Sequence, residues 1–138
     1  MNNREREAHF RTFWDRCWHG PEHRQALAEG LEDGFFMHIS SVTDPIPKEA
    51  WMDFVASWHH AFPDGRMDIQ DLVVRDDQIW VYWISSGTHS NEYLGVKASG
   101  NKVIYWGMEI YRFEGDKIAH CTAVPDALSL FRQMGAIS

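Results

Sequence analysis

The chain reads as one α+β domain, and three observations say so. Its 138 residues suit a single folding unit. Apolar residues recur at helical spacing up to Phe62, and from Arg66 onward the period changes to two. Neither a repeat nor a low-complexity linker interrupts this order, so the helical first half and the strand-rich second half belong together.

The first helix is expected over residues 4–19, where Phe10, Phe13, Trp14 and Cys17 recur at i, i+3, i+4 and i+7 as one apolar stripe. Gly20-Pro21 ends it. A shorter helix follows over residues 21–30, with Leu27 and Leu31 as buried contacts. The apolar run 35–39 is a short strand, before a turn-rich stretch from Ser40 to Pro47. Trp51, Phe54, Val55, Trp58 and Phe62 mark the third helix; Pro47 fits its first turn and Pro63 stops it.

In the second half, Ile79, Val81 and Trp83 alternate with Trp80, Tyr82 and Ile84. Tyr105, Gly107, Glu109 and Tyr111 alternate with Ile104, Trp106, Met108 and Ile110. Both faces are therefore apolar, whereas an antiparallel sheet with one wet face alternates apolar with polar. Helices can cover one face. A second copy of the chain is expected over the other, which predicts a homodimer through the sheet. Residues 87–101 form a long hairpin connection and Glu114-Gly115-Asp116 a tight one. The last strand, 117–124, leads through Pro125-Asp126 into a short final helix with Ala127, Leu130, Phe131 and Met134 on one side.

A chain of this length buries roughly two-thirds of its unfolded surface and needs no disulfide or metal for its core. Cys17 and Cys121 form no disulfide framework, which fits a reducing compartment. The net charge of −7 disfavours nucleic acid and anionic membranes, either of which needs a concentrated basic face. The start Met-Asn-Asn-Arg-Glu-Arg-Glu holds no apolar stretch for a signal peptide, and no window approaches the ~20 apolar residues of a membrane span. A cytoplasmic protein is the expectation. Seven Trp, eight Phe and four Tyr exceed what a small core needs, and point to a lined cavity or a subunit interface.

Familiar catalytic signatures are missing: no phosphate-cradling glycine loop, Gly-x-Ser-x-Gly, His-Glu-x-x-His or Cys-x-x-Cys occurs. His19 and His23 have metal-ligand spacing, but Gly20-Pro21 breaks the helix they would need. His59 and His60 point in different directions on theirs, so no metal is expected.

Five segments follow one another in a telling order and spacing: Phe62-Pro63-Asp64, Gly87-Thr88-His89, Tyr111-Arg112-Phe113-Glu114-Gly115-Asp116-Lys117-Ile118, Pro125-Asp126 and Arg132-Gln133-Met134-Gly135. From Phe62 to Gly135 the chain resembles the SnoaL-like polyketide cyclases of the nuclear transport factor 2-like superfamily. Those proteins typically read Gly-x-His, then Arg-x-x-x-Gly-Lys-Ile, then Asp, then Gln-Leu-Gly. The resemblance implies a cone, in which a curved antiparallel sheet wraps N-terminal helices around an internal pocket. It also implies that Asp126, at the end of the last strand, is a general base. Such a base removes a proton from carbon alpha to a carbonyl, and the enolate then closes a ring by attack on a second carbonyl. Aromatic walls would favour this by raising the carboxylate pKa. The same residue has a strong plainer reading as the N-cap of the final helix, and the two roles are not exclusive.

The family's polar pair on the preceding strand, a Gln and a His, is replaced here by Gly107 and Glu109. Glu109 is therefore a candidate general acid beside Asp126; its other reading is a cross-strand ion pair or a dimer contact. His89 and His38 are candidate polar anchors at the pocket, with structural hydrogen bonding and solvent exposure as their plainer roles. Trp14, Trp51, Trp58, Tyr82 and Tyr105 are candidate walls, each with a plain core reading. Alternation leaves open whether His120 or Cys121 faces inward. Neither a cofactor nor a metal is expected, and the ligand is an apolar small molecule. Three functions follow: an acid–base enzyme on a cyclic or polyketide-like carbonyl compound, a non-catalytic binding module, and, ranked last, another enzyme of the fold such as an isomerase or epoxide hydrolase.

Overall fold

A computed structural model describes residues 1–138. Helix α1 (Asn3–Trp18) begins where Asn2 accepts the Glu5 amide at 2.8 Å, and buries Phe10, Phe13, Trp14, Cys17 and Trp18. Helix α2 (His23–Gly30) packs against it through Ala26 and Leu27. The Phe13 ring lies where a Cβ on Gly30 would stand, so only glycine allows this approach. Strand β1 (Leu31–Ile39) and the two-residue β2 (Ile46–Pro47) lead to α3 (Lys48–Ala61), which buries Trp51, Met52, Val55, Trp58 and Ala61. Lys48 Nζ donates to the carbonyls of Ala28 and Leu31, both at 3.0 Å, and so ties the start of α3 to the end of α2.

Four strands follow: β3 (Arg66–Arg75), β4 (Gln78–Thr88), β5 (Lys102–Glu114) and β6 (Lys117–Pro125). Helix α4 (Ala127–Gln133) closes the chain. The six strands form one open sheet in the order β2-β1-β6-β5-β4-β3. Bulges interrupt β3 at Gln70, between Ile69 and Asp71, and β6 at Ala119, between Ile118 and His120, and such bulges bend a sheet.

The α+β class and the helical stripes stand as expected, with two differences. The sheet is mixed, because β1 runs parallel to β6, from Leu31 opposite Ile118 to Ile39 opposite Ala123. Strands far apart in sequence are not joined by a hairpin, so nothing obliges them to run antiparallel. The first strand also starts earlier than the apolar run predicts, since Glu32, Asp33 and Gly34 join it without burying side chains.

Alternation sorts the sheet into two faces. Ile79, Val81, Trp83 and Ser85 of β4, and Val103, Tyr105, Glu109, Tyr111 and Phe113 of β5, turn toward the helices and are buried. Trp80, Ile104, Trp106, Met108 and Val124 turn the other way and are exposed.

Candidate functional site

A cavity of about 130 Å³ lies between the inner face of the sheet and the helices. One water needs only ~10–15 Å³, so the space suits a small organic molecule. Trp18 of α1 with Trp51 and Trp58 of α3 form one wall, and Trp83 and Tyr105 of the sheet form the opposite one. Leu130 and Phe131 of α4, with Leu94 from the loop 89–101, stand at its rim.

That loop is built to reach the cavity. Its Ser90 and Asn91 amides donate to the Ala61 carbonyl, and the Asn91 side chain donates to His60, so the loop occupies the orphan carbonyls at the end of α3. His89, fully buried, pairs through Nδ1 with Ser99 at 2.9 Å and holds the two ends of the loop together. At the tip Leu94 (φ +52°) and Gly95 (φ +79°) make a tight turn between Tyr93 and Val96. A left-handed Leu is uncommon, and here it sets that side chain at the cavity mouth.

Glu109 is the one carboxylate on the cavity wall. It sits mid-strand on β5, 4% exposed, with apolar Val81 and Ala123 directly opposite on the two neighbouring strands. The Tyr111 hydroxyl donates to Oε1 at 3.1 Å, and the Cys121 thiol approaches Oε2 at 3.7 Å. Burial raises the Glu109 pKa to about 7, while Tyr111, Cys121 and the nearby Trp83 oppose the rise by favouring the ionised form. Burial and the neighbouring carboxylate push the Tyr111 hydroxyl well up, so it remains a donor. The Cys121 and Cys17 thiols are pushed up in the same way, which leaves them neutral and unsuited to nucleophilic chemistry.

Asp126 is placed differently. Its carboxylate accepts the Ser129 amide at 3.2 Å and its own amide donates to the Trp106 carbonyl at 2.9 Å, so it is the N-cap of α4. Pro125 and Ala127 on either side line the cavity, but Asp126 itself is not on the wall. The expected pairing of Asp126 and Glu109 in one cavity is not assembled.

Among the other candidates, Trp51, Trp58 and Tyr105 line the cavity. Trp14 is buried deeper, its indole N–H donating to the Met67 carbonyl at 2.7 Å, and it serves the core. Tyr82 lies on the outer face beside Trp106, with ring centroids 6.0 Å apart, because its strand sends Val81 and Trp83 inward. His38 is outside as well: Phe35, Met37 and Ile39 point in, which leaves His38 against Phe36 and His120, its Nδ1 3.3 Å from His120 Nε2. Cys121 therefore faces inward and His120 outward. His89 supports the loop and is not on the cavity wall.

Sequence reasoning missed Trp83 and Trp18 as walls. Trp83 shares the inward set of Ile79 and Val81, and Trp18 extends the α1 stripe by one further turn beyond Trp14, so both signals were present. Tyr93 and Leu94 had none, since a loop has no period to read.

Comparison with known proteins agrees with this architecture. Residues 8–134 match the family described as SnoaL-like polyketide cyclase. A protein of Jannaschia sp. CCS1, described as a SnoaL-like polyketide cyclase, superposes with a TM-score of 0.89 at 18% identity, covering 99% of this chain and 95% of that one. AclR of Streptomyces galilaeus, described as a hydroxylase, gives 0.85 at 17% identity over 99% of this chain and 100% of that one. IdmH of Streptomyces antibioticus, described as a polyketide cyclase, gives 0.80 at 20% identity over 95% and 99%. No curated protein matches the chain in sequence. At these identities the solved structures establish the fold, the nuclear transport factor 2-like cone, and the family match covers nearly the whole chain: it belongs to the SnoaL-like polyketide cyclase family.

Proposed function

We propose that the chain is a small-molecule enzyme that moves a proton at carbon alpha to a carbonyl, within an apolar, ring-bearing or polyketide-like substrate. The observation that supports this reading is a single carboxyl group, buried in an aromatic cavity, whose pKa of about 7 lets it both accept and return a proton near neutrality. Ionised Glu109 takes the alpha proton, and the C–H electron pair becomes an enolate. The enolate either takes the proton back at another carbon, an isomerisation, or attacks a second carbonyl of the same molecule. In the second case the new C–C bond leaves an alkoxide, which receives the proton from neutral Glu109. Glu109 is thus both base and acid, and Asp126 has the structural task of capping the helix at the rim. Trp18 and Trp58 each bury an indole N–H that lacks an acceptor, and a substrate carbonyl oxygen would supply one. No cofactor enters this chemistry.

Exchange of the alpha protons of 1-tetralone for solvent deuterium, followed by proton NMR, tests the reading. Glu109→Gln is expected to lower the catalysed rate by ~10²-fold or more, the usual scale for a general base. An unchanged rate would remove Glu109 from the mechanism. A wild-type protein that tetralones stabilise against heat but that exchanges nothing is instead a binding module. That second reading draws on the absence of Asp126 from the cavity wall.

The homodimer belongs to the same proposal. Ile104, Trp106, Met108 and Val124 are each at least half exposed on the outer face, a continuous apolar surface that a second copy would cover. Light scattering is expected to return about twice the chain mass of 16.1 kDa. Buried free thiols at Cys17 and Cys121 suit the cytoplasm.

A further inference from the structure

Gly107 stands on the inner face of β5 between Tyr105 and Glu109, where every neighbour buries a side chain. Its space is not empty. A Cβ there would collide with Cζ2 of the Trp83 indole and meet its Cη2 at 2.8 Å and Cε2 at 2.9 Å, so the ring of Trp83 lies across the glycine. The pairing register puts Trp83 directly opposite Gly107 and hence diagonal to Glu109 on the same face, a separation that large aromatic side chains span. The Cε2 atom over Gly107 is bonded to Nε1, and Nε1 is buried without an acceptor at hydrogen-bond geometry. A buried donor left unpaired costs free energy, so a state of the protein that pairs it is the natural account of its presence.

We propose that Trp83 is a positioning residue for Glu109, its indole N–H engaging the carboxylate when Glu109 ionises, and that Gly107 is there to admit the ring. The inference rests on the acid–base reading of Glu109 and names what sets its working pH. Three donors then surround one buried carboxylate: the Tyr111 hydroxyl along the strand, the Cys121 thiol from β6 and the Trp83 indole from β4. The influence of Trp83 on Glu109 already has the sign of a donor, since it favours the ionised form. The titratable groups that face Glu109 are Cys17 from α1, Tyr105 and Tyr111 from its own strand, and Cys121 from β6. Burial holds all four neutral, so the indole acts without a competing charge among them.

The test is a pH titration of the protonated Glu109 carboxyl by difference infrared spectroscopy, the band being assigned by its loss in Glu109→Gln. Trp83→Phe keeps an aromatic ring and removes the N–H; the midpoint is expected to rise by about one pH unit, as when one donor to a carboxylate is lost. The pH profile of tetralone exchange should move upward with it. Gly107→Ala, which keeps the indole but displaces it, should shift the midpoint in the same direction. An unchanged or lowered midpoint in both folded variants overturns the role of Trp83, even where Glu109→Gln still abolishes exchange. A raised midpoint in a protein that catalyses no exchange supports the role of Trp83 and sinks only the catalytic reading.

Discussion

The two faces of β4 and β5 carry similar side chains and have opposite fates. Trp83 and Tyr105 on the inner face are 3% and 7% exposed; Trp80 and Trp106 on the outer face are 45% and 50% exposed. Residue type does not separate them, since each face has its aromatics and β-branched residues. What separates them is the helical layer, which covers one side only. The layer also decides where chemistry is possible. A carboxylate on the outer face of a single protomer would stay solvated and titrate as an ordinary acid, whereas Glu109 is desolvated inside and its acidity moves to the range of a proton-transfer catalyst.

Charge placed on either face should break the symmetry of sequence most sharply. Ala123, buried opposite Glu109, and Thr122, its outward neighbour, are adjacent in the chain. Ala123→Asp is expected to destabilise the fold of the protomer by about 4 kcal/mol or more, as an unpaired buried charge does, and Thr122→Asp to change the protomer's own fold by less than about 0.5 kcal/mol, its further cost falling on association. Chemical denaturation measures both, and equal effects would mean that the layers are wrongly assigned.

The next effect depends on pH. Glu109 has a folded pKa raised from 4.5 to about 7, so its neutral form stabilises the protein below 4.5, and that contribution is lost as pH rises through 7. The full loss is about 3 kcal/mol at ~1.4 kcal/mol per unit. Glu109→Gln should therefore gain on the wild type by about that amount between pH 4 and pH 8 in paired urea titrations. His23, His59 and His120, which burial shifts downward, are common to both proteins and cancel in the difference.

On the outer face, Trp106→Glu should remove about 2 kcal/mol or more of association energy, as loss of an aromatic anchor does, and halve the mass seen by light scattering at low concentration. A wild-type protein that is already monomeric would leave the apolar outer face without its proposed partner. The smallest effect belongs to the rim: Asp126→Ala should cost about 1 kcal/mol of stability, the worth of an N-cap, and reduce exchange far less than Glu109→Gln. A loss of exchange as large as that of Glu109→Gln would return Asp126 to the role of base.

Much of this was legible beforehand, and the gaps have physical causes. The stripe of Phe10, Phe13, Trp14 and Cys17 announces its helix because a buried face must repeat at the helical period. Alternation likewise separates Trp83 from Tyr82 and Met37 from His38. It cannot say which set faces inward when both are apolar, and Tyr82 and His38 were misplaced for that reason. Glu109 stood out as the charged residue within an apolar inner set. The capping of α4 by Asp126 was legible as an alternative, but only the geometry separates a cap from a base. The parallel pairing of β1 with β6 left no local trace, because each strand looks the same whichever way its neighbour runs.

That pairing bears on how the molecule comes into being. His38 and His120 touch across strands although they are 82 positions apart. Contacts of such long range form late and slow folding, because a large loop must close before they are made. On the ribosome, β1 emerges with only the two-residue β2 to pair with and must wait for β6, nearly the last element synthesised. Until then its edge, with Phe36 exposed, is open to strands of other nascent chains. The aggregation hazard of this protein is therefore concentrated in the interval between the synthesis of residue 39 and that of residue 125.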